Sequence, residues 1–455
     1  MRKNLIFQLV FICLLTACTP ATPSATLTPT VDVTAVYEHT LATAVMRVTQ
    51  TAAPSATPTL KPGELAFFSM QGYQAIFADG DSLYLQNGEN APVLLSKAEG
   101  NGLFRERMFS SDRQKIAFLR GKTPKSTSAN ADVYTVNANG TAEQLLIPPN
   151  WLKTLIKGTG RGAALPAFLP GTHRMVFETS LCQSPDKDAP CSTGVFLADP
   201  DTAQVTPVLS PGTAQPPSLW AHFAVSPDGK LIATGSAGHV DIFDADGMLV
   251  SGGAFIYTPS TSTTLFPALF WLPDSSALIA ALPTNSFHIS ANNQDVASYA
   301  IWRYTISDSH ADSIPLDPSP MNLLGEADRF RFSPDGNWLL YGGNGPYASD
   351  LYLANLHDGH VQRIGDNPQP GFSWSPDSKR FFGDNFTGIL GERVAQVSKN
   401  AIAIVRWIDA THFICRFCAE NNAKPHIAEI NGDTFTFYRL PPAWEEDEYL
   451  LITPK

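Results

Sequence analysis

The chain has 455 residues, of which 44% are hydrophobic and 16% are charged, and its formal net charge is −11. This balance favours a folded, strand-rich protein over a disordered one. The negative charge excludes a general nucleic-acid-binding surface, because such a surface needs clustered basic residues. It also excludes attachment to an anionic membrane by charge alone. Any membrane attachment must therefore be hydrophobic or covalent.

Residues 1–18 have the pattern of an export signal. Arg2 and Lys3 precede an apolar run over residues 5–15, which is too short to span a bilayer as a helix. The run ends in Leu15-Thr16-Ala17-Cys18, which resembles the lipobox of bacterial lipoproteins. The resemblance implies that Cys18 is acylated after cleavage, and several acyl chains on one residue give a stable anchor. The expected location is the bacterial cell envelope, on the extracytoplasmic face of the membrane; the alternative is an ordinary cleaved signal.

Residues 19–62 are dominated by Thr, Pro, Ala and Ser. Such a composition cannot bury a core and stays extended, so it predicts a disordered stalk between the membrane and the folded body. Residues 33–53 lack proline and place apolar side chains at helical spacing. A short helix there is the alternative to a passive spacer.

Four cysteines remain after the signal and the lipid site. In an exported protein an even number predicts two disulfides, Cys182–Cys191 and Cys415–Cys418. The Cys-x-x-Cys spacing is also found in redox motifs and zinc sites. A redox motif begins a helix, whereas this one follows a strand-like segment, and zinc would need two further ligands. Structural disulfides or free thiols are therefore favoured.

An internal repeat dominates residues 63–455. Its clearest copies are Ser-Pro-Asp-Gly at 226–229 and 333–336 and Ser-Pro-Asp-Ser at 375–378. Weaker copies begin at Phe109, Phe168 and Phe270, and degenerate copies lie at 70–73 and 407–410. Proline presets the first central turn position, aspartate binds nearby amides and glycine takes the positive φ. Each copy therefore predicts a tight turn between two strands.

Each copy continues into a further strand, a second tight turn and a last strand, and four antiparallel strands make one propeller blade. The copies resemble the Ser-Pro-Asp-Gly variety of WD40-like repeat, found in the propeller of the Tol system and in relatives of prolyl oligopeptidase. The resemblance implies an all-β β-propeller over residues 63–455, but no activity. Eight copies favour eight four-stranded blades over seven. The way in which the ring closes is not predicted.

The long insertions fall in second turns and in connections between blades, which share one face of a propeller: residues 121–130, 148–164, 181–193, 283–297 and 316–328. In repeat folds such a face is often the binding face. Its candidate residues are Trp151, Lys153, Lys157, Arg161, Trp220, His222, His288 and Tyr347. The first four form a basic-aromatic stretch suited to an anionic or glycan ligand or a partner protein. The favoured alternative is that Trp151 anchors a short helix over a blade.

No catalytic motif is found. The Gly-x-Ser-x-Gly elbow of prolyl oligopeptidases is absent from the sequence. Four aspartates (199, 201, 244 and 246) look like calcium-loop fragments but fit blade turns better, and the acidic stretch 445–448 is expected to be solvated. We expect a monomeric binding or scaffold module for a protein, peptide or envelope glycan, with no catalytic residues, cofactor or metal. The alternative is a metal-dependent lyase or hydrolase centred on the channel.

Overall fold

The structure is a computed structural model that describes residues 65–98, 104–121, 132–146, 159–182, 191–209, 222–236, 238–258, 267–289, 294–323, 330–342, 350–366, 373–383, 386–390, 393–396, 403–416, 424–432, 434–445, 447 and 449–455. All of them belong to one unit, residues 52–455. The signal, Cys18 and the linker lie outside the described residues, as do Trp151, Lys153, Lys157, Trp220, Tyr347 and Cys418. Within the described ranges, no helix has the length and apolar character needed to cross a membrane.

The described residues form β-strands almost throughout. The strands of the N-terminal half are β1 (Tyr73–Asp79), β2 (Ser82–Asn87), β3 (Val93–Lys97), β4 (Phe104–Phe109), β5 (Lys115–Arg120), β6 (Asp132–Asn137), β7 (Gln144–Leu145), β8 (Thr159–Phe168), β9 (Met175–Cys182), β10 (Cys191–Asp199), β11 (Gln204–Leu209), β12 (His222–Val225), β13 (Leu231–Ser236), β14 (His239–Asp244) and β15 (Leu249–Ile256). Those of the C-terminal half are β16 (Ala268–Trp271), β17 (Ala277–Ile289), β18 (Gln294–Thr305), β19 (His310–Ile314), β20 (Met321–Leu323), β21 (Phe330–Phe332), β22 (Trp338–Gly342), β23 (Asp350–Asn355), β24 (Val361–Asp366), β25 (Ser373–Trp374), β26 (Arg380–Gly383), β27 (Phe386–Ile389), β28 (Arg393–Gln396), β29 (Ala403–Trp407), β30 (His412–Arg416), β31 (Pro425–Asn431), β32 (Thr434–Arg439) and β33 (Leu451–Pro454).

These strands form eight antiparallel sheets, the blades of an eight-bladed propeller. Seven blades are consecutive four-stranded meanders, from blade 2 (β4–β7) to blade 8 (β29–β32). Blade 5 (β16–β19) also carries β20. The prediction of eight blades is confirmed, including the short copy, which forms the complete blade β25–β28.

The ring closes at blade 1, where the C-terminal strand β33 supplies the first strand in the order β33-β1-β2-β3. The register joins Tyr73 to Pro454 and Ile76 to Leu451. On the outer side, Phe67 forms a parallel bridge with Arg439 at the end of β32. Both ends of the propeller sequence therefore take part in the closure.

The repeat motif forms its turn as the residue types predict. Ser226 Oγ donates to Asp228 Oδ1 (2.7 Å) and accepts from the Leu231 N–H (2.9 Å), while Gly229 has a φ of +71°. The same two side-chain bonds recur at Ser110 and Asp112, Ser333 and Asp335, and Ser375 and Asp377. Each turn joins the first two strands of its blade.

The hydrophobic core lies between neighbouring blades. In β5, Ile116 and Phe118 pack towards blade 1, whereas Ala117 and Leu119 pack towards blade 3. All four residues are fully buried. Because both faces of a blade are covered, its second strand is a continuous apolar run rather than an alternating one.

Candidate functional site

The two faces of the ring differ in what they carry. The first and third turns of every blade lie on one face, here the turn face. The second turns and the connections between blades lie on the other, here the insertion face. First strands of successive blades contact one another, as β12 and β16 do, and so line the axis. Each first strand runs from the insertion face to the turn face.

Blade 5 carries the largest described structure on the insertion face. Strands β17 and β18 pair as far as Ile289 and Gln294, whereas β16 pairs only with the part of β17 up to Ala281. The hairpin therefore continues for about 25 Å beyond β16. Strand β20 adds to it, pairing Met321–Leu323 with residues 296–298 of β18. We call residues 282–300 together with β20 the arm.

The base of the arm is fixed to the blades. The Tyr299 N–H donates to the Pro320 carbonyl (2.8 Å), which holds the segment before β20 against β18. From blade 6, the Tyr341 hydroxyl donates to the Pro318 carbonyl (2.6 Å). Burial raises the pKa of Tyr341, so the hydroxyl keeps its proton and remains a donor. The arm therefore starts from a rigid support.

Three sequence candidates lie in strands, so the expectation that they occupy loops was wrong. Arg161 belongs to β8, His222 begins β12 and His288 belongs to β17. The insertions 283–297 and 316–328 contain the paired strands of the arm, and 148–164 ends inside β8. Alternating polar and apolar residues in 283–297 were the available signal for a hairpin. The three candidates belong to three successive blades, blades 3, 4 and 5.

The cysteines on blade 3 lie opposite each other across two strands. Cys182 ends β9, Cys191 begins β10, and the register pairs them directly. Directly opposed residues of antiparallel strands have Cα atoms about 4.5–5.5 Å apart, within the range that a disulfide requires. Cys415 is fully buried in β30. Both disulfides stay predictions.

On the turn face, two of the four aspartates that resembled calcium-loop fragments bind backbone amides of their own turns, whereas Asp201 pairs with His173 and Asp246 with Arg174. Asp199 accepts from the Asp201 N–H (2.8 Å), and Asp244 accepts from the N–H groups of Asp246 (2.9 Å) and Met248 (2.8 Å). Their interpretation as turn residues is confirmed. In the described part of the chain, no group of three or more His, Cys, Asp or Glu side chains is arranged to hold a metal ion.

A buried ion pair lies where the ring closes. Arg107 on β4 forms a bidentate pair with Asp447, the residue four positions before β33, and their side chains are 0% and 3% exposed. Asp447 also accepts from the N–H groups of Ala78 (2.8 Å) and Tyr449 (3.0 Å). The expectation that the acidic stretch 445–448 is solvated was therefore wrong at Asp447, because the closing strand draws this residue into the seam.

Two further arginines lie beside this pair. Arg105 on β4 donates to the Tyr449 hydroxyl (3.0 Å), and its guanidinium lies over the Tyr449 ring. Arg406 lies on β29, the first strand of blade 8. Desolvation, and then repulsion from Arg107, lower the pKa of Arg406, and Asp447 and Glu106 act in the opposite direction. Sequence analysis missed these three arginines (105, 107 and 406). Their position in first strands was no signal, because β8 and β21 also carry arginines, Arg161 and Arg331.

A second buried ionisable group lies between blades 3 and 4. Glu178 on β9 is 1% exposed, and neither carboxylate oxygen has a hydrogen-bond partner among the described residues. Burial raises its pKa to about 8. The Thr234 hydroxyl of β13, also buried, has no described partner either. The carboxyl group is therefore neutral over most of the physiological pH range.

No protein-family model and no curated protein matches the sequence. Solved structures match at low identity. Dipeptidyl peptidase 4 from Porphyromonas gingivalis is 10% identical with a TM-score of 0.50, over 82% of this chain and 59% of that one. TolB from Acinetobacter baumannii is 14% identical with a TM-score of 0.33, over 65% of this chain and 64% of that one. Oligogalacturonate lyase from Vibrio parahaemolyticus is 15% identical with a TM-score of 0.41, over 77% of this chain and 96% of that one.

This chain spans less than two thirds of the TolB and peptidase chains that it matches. At these identities the likeness shows the fold alone, because one propeller architecture serves many unrelated functions. That this chain is an eight-bladed β-propeller is shown by its own eight sheets.

Proposed function

We propose that this chain is a lipid-anchored, extracytoplasmic propeller that binds a protein, peptide or envelope glycan through its insertion face, and that it is not an enzyme. The arm of blade 5 is the observation that carries the proposal. The insertions at 283–297 and 316–328 contain strands of one sheet extension rather than separate loops, and its base is tied to blades 5 and 6.

A paired, anchored extension suits binding better than a free loop does. A free loop loses conformational entropy when it binds, whereas a preformed sheet has already lost it. The arm also gives the ring an asymmetric feature, because it belongs to one blade. A ligand that contacts the arm and the neighbouring connections is held in a single orientation.

The test is crosslinking capture of partners from intact cells with an arm-deleted variant. Residues 285–298 are replaced by Asn-Gly, which forms a two-residue hairpin turn and joins Thr284 to Tyr299. Lys230→Glu is the control, since Lys230 lies on the turn face with its side chain 80% exposed. We expect the deletion to lower capture by roughly tenfold or more, while the control captures normally. Equal capture by the arm-deleted protein, with an unchanged far-UV spectrum, would overturn the proposal.

The membrane anchor has a separate test. Cys18→Ala removes the thiol that the lipobox resemblance assigns to acylation. The variant should move from the membrane to the soluble fraction and should lose incorporation of a labelled fatty acid. Membrane retention with unchanged labelling would contradict the anchor. A stoichiometric transition metal in the purified protein would instead favour a channel-centred enzyme.

A further inference from the structure

We infer that the outer edge of blade 4 is a self-association surface, through which two copies of this chain form a symmetric dimer. The surface consists of Met248, Leu249, Val250 and Ile256, here the rim patch. It lies on the outermost strand of its blade rather than on the insertion face. The inference therefore goes beyond the proposed function and does not depend on it.

The outermost strand of a propeller blade is a sheet edge, because it has a strand partner on one side only. Proteins protect such edges from association by keeping them very short or by placing charged residues or proline on them. Seven of the eight outermost strands that the structure describes have one of these features. Strand β7 has two residues, and the other six contain Lys97 (β3), Pro207 (β11), Asp312 (β19), Arg363 (β24), Arg393 (β28) and Arg439 (β32). Only β15 has neither a charged residue nor a proline.

The unprotected edge also exposes apolar side chains. Met248, Leu249 and Val250 are consecutive and each is more than half exposed, and Ile256 at the other end of β15 is 83% exposed. Among the described residues, four of the seven exposed large hydrophobic side chains thus lie in or next to this one strand. Such a run is unfavourable in water and is typical of an interaction surface.

The middle of β15 adds no exposed polar group that would oppose apolar contact. Leu249 and Ile256 both reach the central glycines, since a Cβ on Gly252 would lie 3.5 Å from Leu249 Cδ2 and one on Gly253 would lie 3.2 Å from Ile256 Cγ1. The hydroxyl of Ser251 is hydrogen-bonded to the Tyr304 hydroxyl (2.8 Å). The two apolar ends of the strand are therefore separated by residues with small or satisfied side chains.

A second copy fits this edge because apolar residues are matched about the middle of the strand. Two β15 strands placed antiparallel, with a twofold axis at the Gly252–Gly253 pair, bring Leu249 of each copy beside Ile256 of the other. The glycines let the two backbones approach closely at the axis. No charged residue of β15 faces its own copy, although the chain as a whole carries a net charge of −11.

The contact is made by side chains rather than by one sheet that runs through both copies. The pairing of β15 with β14 shifts register twice, between Val240 and Ile242 and between Ile242 and Phe243. Such bulges interrupt the ladder that a further strand would extend. Each copy has one rim patch, and a twofold contact uses both patches completely, so association stops at two. The structure thus favours a dimer where the sequence alone predicts a monomer.

Cysteine crosslinking in intact cells tests the antiparallel arrangement. Leu249→Cys with one epitope tag is co-expressed with Ile256→Cys carrying another, and mixed product is captured after brief oxidation. The yield should be roughly tenfold higher than for Leu94→Cys with Ile256→Cys, because association raises the local concentration of the two thiols. Leu94 is a half-exposed residue of the outermost strand of blade 1.

The same experiment contains a geometric control. Ile256→Cys expressed with both tags should stay at the control yield, since the two 256 positions lie seven residues apart along the antiparallel strands, about 23 Å. Equal yields for all three pairs would overturn the inference.

Sedimentation of the purified full chain in detergent measures the dimer directly. The parent protein should shift from monomer to dimer as its concentration rises. Leu249→Lys should weaken the dimer by roughly tenfold or more, because it buries an unpaired charge in the contact, whereas Leu94→Lys should dimerise normally. Both leucines are exposed, so both variants should keep the melting temperature of the parent. A parent that stays monomeric, or that forms assemblies larger than a dimer, would overturn the inference, as would equal loss of the dimer in the two variants.

Discussion

Replacing Glu178 with glutamine should stabilise the protein, and the gain should grow with pH. Glu178 lies between blades 3 and 4 beside the apolar cluster that contains Val176, Val195 and Ile232. Burial there raises its pKa from 4.5 to about 8. Glutamine has nearly the same shape as glutamate but cannot ionise. The substitution therefore removes the titrating group and leaves most of the packing in place.

The direction in which stability changes with pH depends on whether the folded or the unfolded chain binds the proton of Glu178 more tightly. Below pH 4.5, Glu178 is protonated in both the folded and the unfolded chain, and its titration does not affect stability. Between pH 4.5 and about 8 the unfolded chain ionises while the folded protein does not, so the free energy of unfolding falls. The fall is about 1.4 kcal/mol per pH unit and reaches roughly 5 kcal/mol over the whole interval. Above that interval it levels off.

Urea unfolding at pH 5 and pH 8 measures the effect. The difference in unfolding free energy between Glu178→Gln and the parent protein should be several kcal/mol more favourable to the variant at pH 8 than at pH 5. Asp308→Asn, at an exposed position, is the control and should give a difference that changes much less between the two pH values. A difference for Glu178→Gln that does not change with pH would show that this carboxyl group is ionised in the folded protein and would refute the reasoning.

Two further substitutions test the seam and the turns, with unfolding free energy as the measurement. Asp447→Asn leaves the buried Arg107 without its counter-charge and should cost about 3–5 kcal/mol, whereas Asp81→Asn, at an exposed ion pair, should cost under about 1 kcal/mol; equal costs would contradict the closure role. Gly229→Ala would place Cβ 2.2 Å from a carbonyl oxygen of blade 3, whereas Gly171→Ala, at a similar positive φ, meets no atom within 4 Å. The second change should cost about 1–2 kcal/mol and the first clearly more, and similar costs would show that the blades do not pack this closely.

The number of blades was predictable because the turn between the first two strands depends on local chemistry. Ser226 and Asp228 make their turn with neighbouring residues, and related residue types made the same turn recognisable at other copies. Ring closure was not predictable in this way. Strand β33 follows no repeat motif, and its partner β1 lies at the other end of the propeller sequence.

The burial of Asp447 and Glu178 was not predictable from local sequence either, because the residues that surround them are distant in the chain. Asp447 belongs to an acidic stretch whose composition predicts exposure to solvent, and its partner Arg107 lies 340 residues earlier in the chain. Glu178 follows the buried Val176 and Phe177 in the sequence, but only the packing of blade 4 against blade 3 removes its carboxyl group from water. Local patterns predict turns and strands, whereas the pKa of a side chain depends on neighbours that are distant in sequence.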